Sequence, residues 1–288
     1  MIIAIPTNNT GRNTETPGRG QNAAYCTYVA DAGFEPILVP METDPNVIAS
    51  IADGLLLAGG IDIDPMYYGL SNYSSFNVDP AKDAAERALF HAFRVEGKPI
   101  FGVCRGFQLM YREYMKRVES ECNYFDYEEH MVKHAQTSDL NTRRSIPSHF
   151  VRANTDSLFG LTPEKDRNPL SMVPVNSMHH QVAVLNFGQV NKDSSLDMKK
   201  YGADEPVIHK ISGFELVAWS LRGVRQPTKG TNTKEKDINN HWCIIEAMKI
   251  NDWGAPIMGV QWHPEELKDI RLIRNFFKPK TTGNVLEA

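Results

Sequence analysis

Short apolar runs punctuate the first 118 residues, and between them lie polar or amphipathic stretches of helical length. IIAIP (2–6), EPILVP (35–40), ADGLLLAGG (52–60) and KPIFGV (98–103) are nearly continuous in apolar residues. A strand covered on both faces has that pattern, because neither face needs a polar side. Residues 22–32 carry a helical pattern that stops at Gly33, a residue suited to the turn after a helix. Asp79 to about Glu96 predicts a second helix, with Ala84, Ala85, Ala88, Leu89 and Ala92 as its apolar face and Gly97 as its stop. Gly106 to about Val118 predicts a third. Strand and helix in alternation predict an α/β fold with a parallel sheet and right-handed crossovers.

The second half is less regular. SHFVRA (148–153) and FELVAWS (214–220) read as strands, HWCIIEAMKI (241–250) and PIMGVQW (256–262) as a closing strand pair, and Glu265 to about Phe277 as the last helix. Residues 119–150 are polar and rich in His and acidic residues. Residues 188–206 and 226–240 are polar without apolar periodicity, which predicts exposed, mobile insertions, and 279–288 reads as a loose tail. No internal repeat is visible, so one domain over residues 1–278 is expected.

Composition narrows the class. At 41% hydrophobic and 23% charged residues the chain matches a soluble globular protein. A net charge of -4 gives no basic footprint for nucleic acid. No apolar run reaches the roughly 18 residues that span a bilayer. MIIAIPTNN has no basic segment ahead of its apolar run, so no secretory leader is expected and the expected compartment is the cytoplasm. Cys26, Cys104, Cys122 and Cys243 lie far apart, with no C-x-x-C pair and no zinc-ligand spacing. Free thiols are expected, with no metal and no cofactor.

Among these cysteines Cys104 stands out. Gly102-Val103-Cys104-Arg105-Gly106 joins an apolar strand to an amphipathic helix, the cysteine version of the G-x-S-x-G nucleophile elbow. The glycines relieve crowding where backbones approach, and a thiol at a helix N-terminus is favoured as thiolate. The N–H of Arg105 is placed to serve an oxyanion hole. Cys26, Cys122 and Cys243 have no glycines around them and read as structural. A thiolate needs a proton carrier. His263 ends the apolar strand GVQW (259–262) and is followed by Pro264-Glu265. Residues i and i+2 of an extended segment face the same side, so Glu265 can hold the imidazole in one tautomer.

FGVCRGFQ (101–108) with GVQWHPEE (259–266) resembles the class I glutamine amidotransferase fold. GGIDIDPMYYG (59–69), DPAKDAAE (79–86) and VNSMHHQ (175–181) narrow the resemblance to its γ-glutamyl-γ-aminobutyrate hydrolase branch. These five segments span residues 59–266. The resemblance implies a three-layer, mostly parallel central sheet with helices on both faces and a flavodoxin-like core. It implies a triad at Cys104, His263 and Glu265, and an oxyanion hole from the N–H groups of Gly60 and Arg105. It sets Gln108, Asn176, Ser177, His179 and His180 along the substrate, and Asp62 and Tyr68 in the loop after the Gly-Gly turn. The implied reaction is hydrolysis of a γ-glutamyl amide through a thioester, releasing glutamate.

Two departures concern the substrate. YREYMKRVESECNYFDYEEH (111–130) has no glycine where such proteins carry a Gly-Gly turn and a short strand, and the 226–240 insertion is not expected. The expected partner is a small γ-glutamyl compound or glutamine. Rival readings are a glutaminase supplying ammonia to a separate synthase and a non-catalytic binding protein on the same fold. A homodimer is open.

Overall fold

The computed structural model describes residues 1–10, 18–69, 71–72, 75, 77–118, 125–128, 144–162, 168–179, 181–186, 213–220 and 242–278. The sequence-predicted insertions at 188–206 and 226–240, the 279–288 tail and His180 lie outside them.

In chain order the elements are β1 (Ile2–Pro6), β2 (Asn8–Asn9), β3 (Arg19–Gly20), α1 (Ala23–Asp31), β4 (Glu35–Val39), α2 (Pro45–Ile51), β5 (Gly54–Leu57), α3 (Pro80–Val95), β6 (Ile100–Val103) and α4 (Arg105–Val118). There follow β7 (Phe125–Glu128), β8 (His149–Asn154), α5 (Thr155–Phe159), β9 (Leu170–Val175), β10 (Val182–Asn186), β11 (Phe214–Ser220), β12 (Trp242–Trp253), β13 (Ala255–Val260) and α6 (Arg271–Phe277).

The central sheet runs β4-β1-β5-β6-β13-β12-β11-β8-β9, with β10 pairing β12 and β7. Its first five strands are parallel, and antiparallel strands extend it from β12 outward. Successive side chains on these strands enter opposite cores. Ala4, Leu55, Leu57, Ile100 and Ile257 pack with α2, α3 and α4 on one face. Ile3, Ile5, Leu56, Phe101, Met258 and Val260 pack with α1, α5 and α6 on the other. The result is the expected three-layer α/β arrangement.

Three expectations need correction. The helix α2 is missing from the sequence reading, although Asp44 caps it by accepting from the Asn46 N–H and Pro45 fills its first turn. The last helix begins at Arg271, not Glu265. Residues 264–268 form turns, with Lys268 at φ 56°, because Glu265 is held back toward His263. The face of α3 is only partly as expected: Leu89 and Ala92 are buried, but its N-terminal half is rotated. Ala84 and Ala88 are exposed, while Lys82, Asp83 and Glu86 are buried beside Leu89, Phe90 and Phe93. Two phenylalanines and a leucine outweigh alanines in transfer free energy, and the buried charges find partners on α4.

Candidate active site

The predicted site residues other than His180 converge at the carboxyl ends of β5, β6 and β13. β6 and β13 are adjacent parallel strands in register from Ile100↔Ile257 to Val103↔Val260. Cys104 follows β6, and His263 lies three residues beyond β13, so a separation of more than 150 residues closes across one strand spacing.

Cys104 occupies the one-residue turn between β6 and α4 at φ 50°, the left-handed region that non-glycine residues seldom adopt. Its N–H donates to the Val260 carbonyl at 2.9 Å, and its carbonyl accepts from Gln108 N–H at 3.0 Å. The sheet and the first turn of α4 therefore hold the strained turn in place. Gly106 has no room for a side chain, since a Cβ there would lie 2.1 Å from the Leu57 carbonyl oxygen. Cys104 is buried, with 7% of its surface exposed.

His263 and Glu265 are both 5% exposed. His263 Nδ1 lies 2.6 Å from Glu265 Oε1. Burial pulls the imidazole pKa down. The charge of Cys104, then that of Glu265, and hydrogen bonds to both override it and push the value up to about 10. The backbone of His263 is clamped as well: its N–H donates to Asn176 Oδ1 at 2.9 Å, and its carbonyl accepts from Asn176 Nδ2 at 3.0 Å. Asn176, implied as a pocket residue, thus spends its amide on the His263 main chain and on the Arg144 carbonyl, 2.8 Å away.

Gly60 follows β5 and borders Arg105: a Cβ on Gly60 would lie 3.4 Å from Arg105 Cδ. The Arg105 guanidinium is 1% exposed and pairs with both Asp83 and Glu86 of α3, while Lys82 pairs with Glu86. Burial first, then the Arg105 charge, pushes the Lys82 ammonium down to about 6. Asp83 also accepts from Asp64 N–H at 3.1 Å, so this buried cluster ties the loop after Gly60 to the start of α4.

Gln108 Nε2 donates to the Gln181 carbonyl at 2.9 Å and to Gln261 Oε1 at 3.2 Å. The same carbonyl lies 3.0 Å from His179 Nδ1. Gln181 Oε1 and Gln261 Nε2 are buried and have no hydrogen-bond partner among the described residues. Ser177 is fully buried. Tyr68 donates to the Gln108 carbonyl at 3.2 Å and so supports α4, and Asp62 is half-buried in the same loop. Cys26 is a partly exposed free thiol. The side chains of Cys122 and Cys243 lie outside the described residues.

Two nearby residues escaped the sequence reading. Gln261 stood inside the quoted GVQW run but was not singled out. Tyr25 sits on α1 and reaches His263 Nδ1 at 3.3 Å and the Gly59 N–H at 2.9 Å. Its helical spacing to Tyr28 and Val29 marks it as a core residue, which it also is. Among the described residues no group of three or more His, Cys, Asp or Glu side chains is arranged to hold a metal ion. Nor is any helix there long and apolar enough to cross a membrane.

A sequence model described as peptidase C26 matches residues 1–190. Protein NtpR of Enterococcus hirae is 32% identical over 276 residues, which cover 92% of this chain and 90% of that protein. The provisionally named glutamine amidotransferase-like protein YvdE of Lactococcus lactis subsp. lactis is 32% identical over 169 residues. That match covers 58% of this chain and 66% of YvdE, just under two thirds of its length. γ-Glutamyl-γ-aminobutyrate hydrolase PuuD of Escherichia coli K12 is 26% identical over 174 residues, covering 55% of this chain and 62% of PuuD. Among solved structures, the glutaminase domain of Trypanosoma brucei CTPS with bound acivicin superposes at a TM-score of 0.49. It is 13% identical and covers 96% of this chain and 90% of that one.

Proposed function

The chain belongs to the peptidase C26 family, a glutamine amidotransferase-like hydrolase family, and from that premise we propose that it hydrolyses the γ-glutamyl amide bond of a small γ-glutamyl compound through Cys104, His263 and Glu265. One observation carries the reading: a cysteine in a strained strand–helix turn faces a buried histidine whose other side is held by a carboxylate at 2.6 Å. Thiolate and imidazolium stabilise each other in that arrangement, and the thiolate is the nucleophile.

The Cys104 thiolate attacks the γ-carbonyl carbon, and the carbonyl electrons move onto oxygen. The N–H groups of Gly60 and Arg105 stabilise that oxyanion. As the tetrahedral species collapses, His263 gives its proton to the departing amine, leaving a γ-glutamyl thioester on Cys104. Water then attacks the thioester while neutral His263 takes its proton. Expulsion of Cys104 as thiolate releases glutamate and restores the ion pair. Glu265 keeps the proton of Nδ1 in place, so that Nε2 exchanges protons with the substrate.

Cys104→Ala decides the matter. Glutamate release should fall to background for glutamine, γ-glutamyl-aminobutyrate, γ-glutamyl polyamines and folate polyglutamates alike. Unchanged release from any of them rejects the assignment. With the wild-type chain, turnover of a γ-glutamyl amine well above that of glutamine identifies a hydrolase. Release from glutamine alone, rising when a synthase is added, identifies an ammonia donor instead.

A further inference from the structure

Tyr25 is 3% exposed, yet its hydroxyl touches the two halves of the site that no peptide joins. It accepts from Gly59 N–H at 2.9 Å, one residue before Gly60, and lies 3.3 Å from His263 Nδ1. Gly59 is shaped around this contact: a Cβ there would fall 2.5 Å from the Tyr25 oxygen and 2.7 Å from His263 Cε1. The phenol proton must still find an acceptor. With Nδ1 protonated toward Glu265, the imidazole offers no lone pair on that side, and the carboxylate is the acceptor left. Glu265 Oε2 is buried without a hydrogen-bond partner among the described residues. After burial, the charge of Glu265 is the largest influence raising the Tyr25 pKa.

We propose that Tyr25 is a positioning residue of this site, whose single hydroxyl ties the Gly59–Gly60 turn to the His263–Glu265 pair and draws charge from the carboxylate. This rests on the assignment of Cys104, His263 and Glu265 above. The ionisable groups facing the hydroxyl and the imidazole are Cys104 from the β6–α4 turn and Glu265 from the segment after β13. Gly59 N–H completes the set from the end of β5. A donor on Glu265 weakens its hold on the imidazolium. Removing the donor therefore raises the pH at which His263 loses its proton, and a stronger donor lowers it.

The test is the pH dependence of two signals: alkylation of Cys104 by iodoacetamide, read on the Cys104 peptide by mass spectrometry, and hydrolysis of γ-glutamyl-p-nitroanilide. In Tyr25→Phe the alkaline step should move up by about one pH unit, the scale of one lost charge-assisted hydrogen bond. kcat should fall by about tenfold and KM change by less than about twofold, since the lost interaction serves the proton transfer rather than ground-state binding. With 3-fluorotyrosine at position 25, a more acidic phenol of nearly the same size, the step should move down. A purely structural tyrosine predicts no movement in either variant. Wild-type pH profiles in both overturn the proposal, even if Tyr25→Phe melts at a lower temperature. Should Tyr25→Phe not fold, the fluorotyrosine protein decides by itself. Cys104→Ala separates the two claims: a dead Cys104→Ala with unmoved Tyr25 profiles sinks only the role of Tyr25, whereas a live Cys104→Ala sinks the triad beneath it.

Discussion

At the scale of single residues, side-chain type and spacing pointed to the proposed triad but not to the supports around it. Cys104 was legible because two glycines and a strand–helix junction set it apart, and His263 and Glu265 because an extended segment puts i and i+2 on one side. Asn176 was legible only as a polar residue near a pocket. That its amide brackets the His263 peptide from both sides depends on a contact across 87 residues, which no local pattern encodes. Tyr25 was hidden for the opposite reason, because a buried tyrosine on a helix is ordinary core until its hydroxyl is followed to its partners. These contacts bear on pH. With His263 pushed up to about 10 by Cys104 and Glu265 against the cost of burial, the imidazolium persists well above the ordinary histidine range. The thiolate–imidazolium form should therefore survive through neutral pH. In γ-glutamyl-p-nitroanilide hydrolysis, kcat/KM should hold from about pH 7 to 9 and decline toward 10. A decline centred near 6.5 would mean that neither partner holds the proton.

At the scale of elements, α3 carries the main lesson. Its alanines suggested an apolar face, yet the helix buries a charged stripe at Lys82, Asp83 and Glu86. Asp79, where the helix is expected to begin, does cap α3 by accepting from Ala81 N–H at 3.1 Å and Lys82 N–H at 3.2 Å. The remaining charges serve α4. Arg105 supplies the guanidinium between Asp83 and Glu86, and its backbone begins α4 directly after Cys104. Only the pairing of α3 with α4 reveals this, because an isolated helix with three charges on one side reads as a solvated face. Arg105→Met keeps the backbone N–H and much of the apolar stem but removes the cation. Two buried carboxylates would then share only the Lys82 amine, whose charged form burial disfavours. Uncompensated charge of that kind typically costs roughly 3–5 kcal/mol. Urea unfolding followed by circular dichroism should show a loss in that range. A loss below about 1 kcal/mol would show that the cluster contributes little to the fold.

At the scale of the whole molecule, the parallel half announced itself, whereas the antiparallel half was legible only in β8, β11 and β12. β1, β5 and β6 are covered on both sides and read as apolar runs; the edge strand β4 reads as one too, although Leu38 is exposed. β8 and β9 expose Phe150 and Met172 on one side, and Pro174 interrupts the second, so β9 was missed. Nor could local pattern say that β13 lies beside β6. That adjacency brings His263, the proposed base, to Cys104, the proposed nucleophile, and it fixes what a shortened chain would lack. The peptidase C26 match ends at residue 190, so it holds Cys104 but neither His263 nor Glu265. A chain of residues 1–190 would also lose Met258 and Val260 from the core and the Val260 carbonyl that accepts from Cys104 N–H. β6 would become an unpaired edge, and the turn at φ 50° would lose the bond that holds it against the sheet. The shortened chain should therefore release no glutamate from γ-glutamyl-p-nitroanilide. If it stays soluble, its Cys104 should alkylate with iodoacetamide no faster than free cysteine does. Thiolate reactivity persisting at pH 6 in residues 1–190 would place the activating group in the first two thirds of the chain and remove His263 from the mechanism.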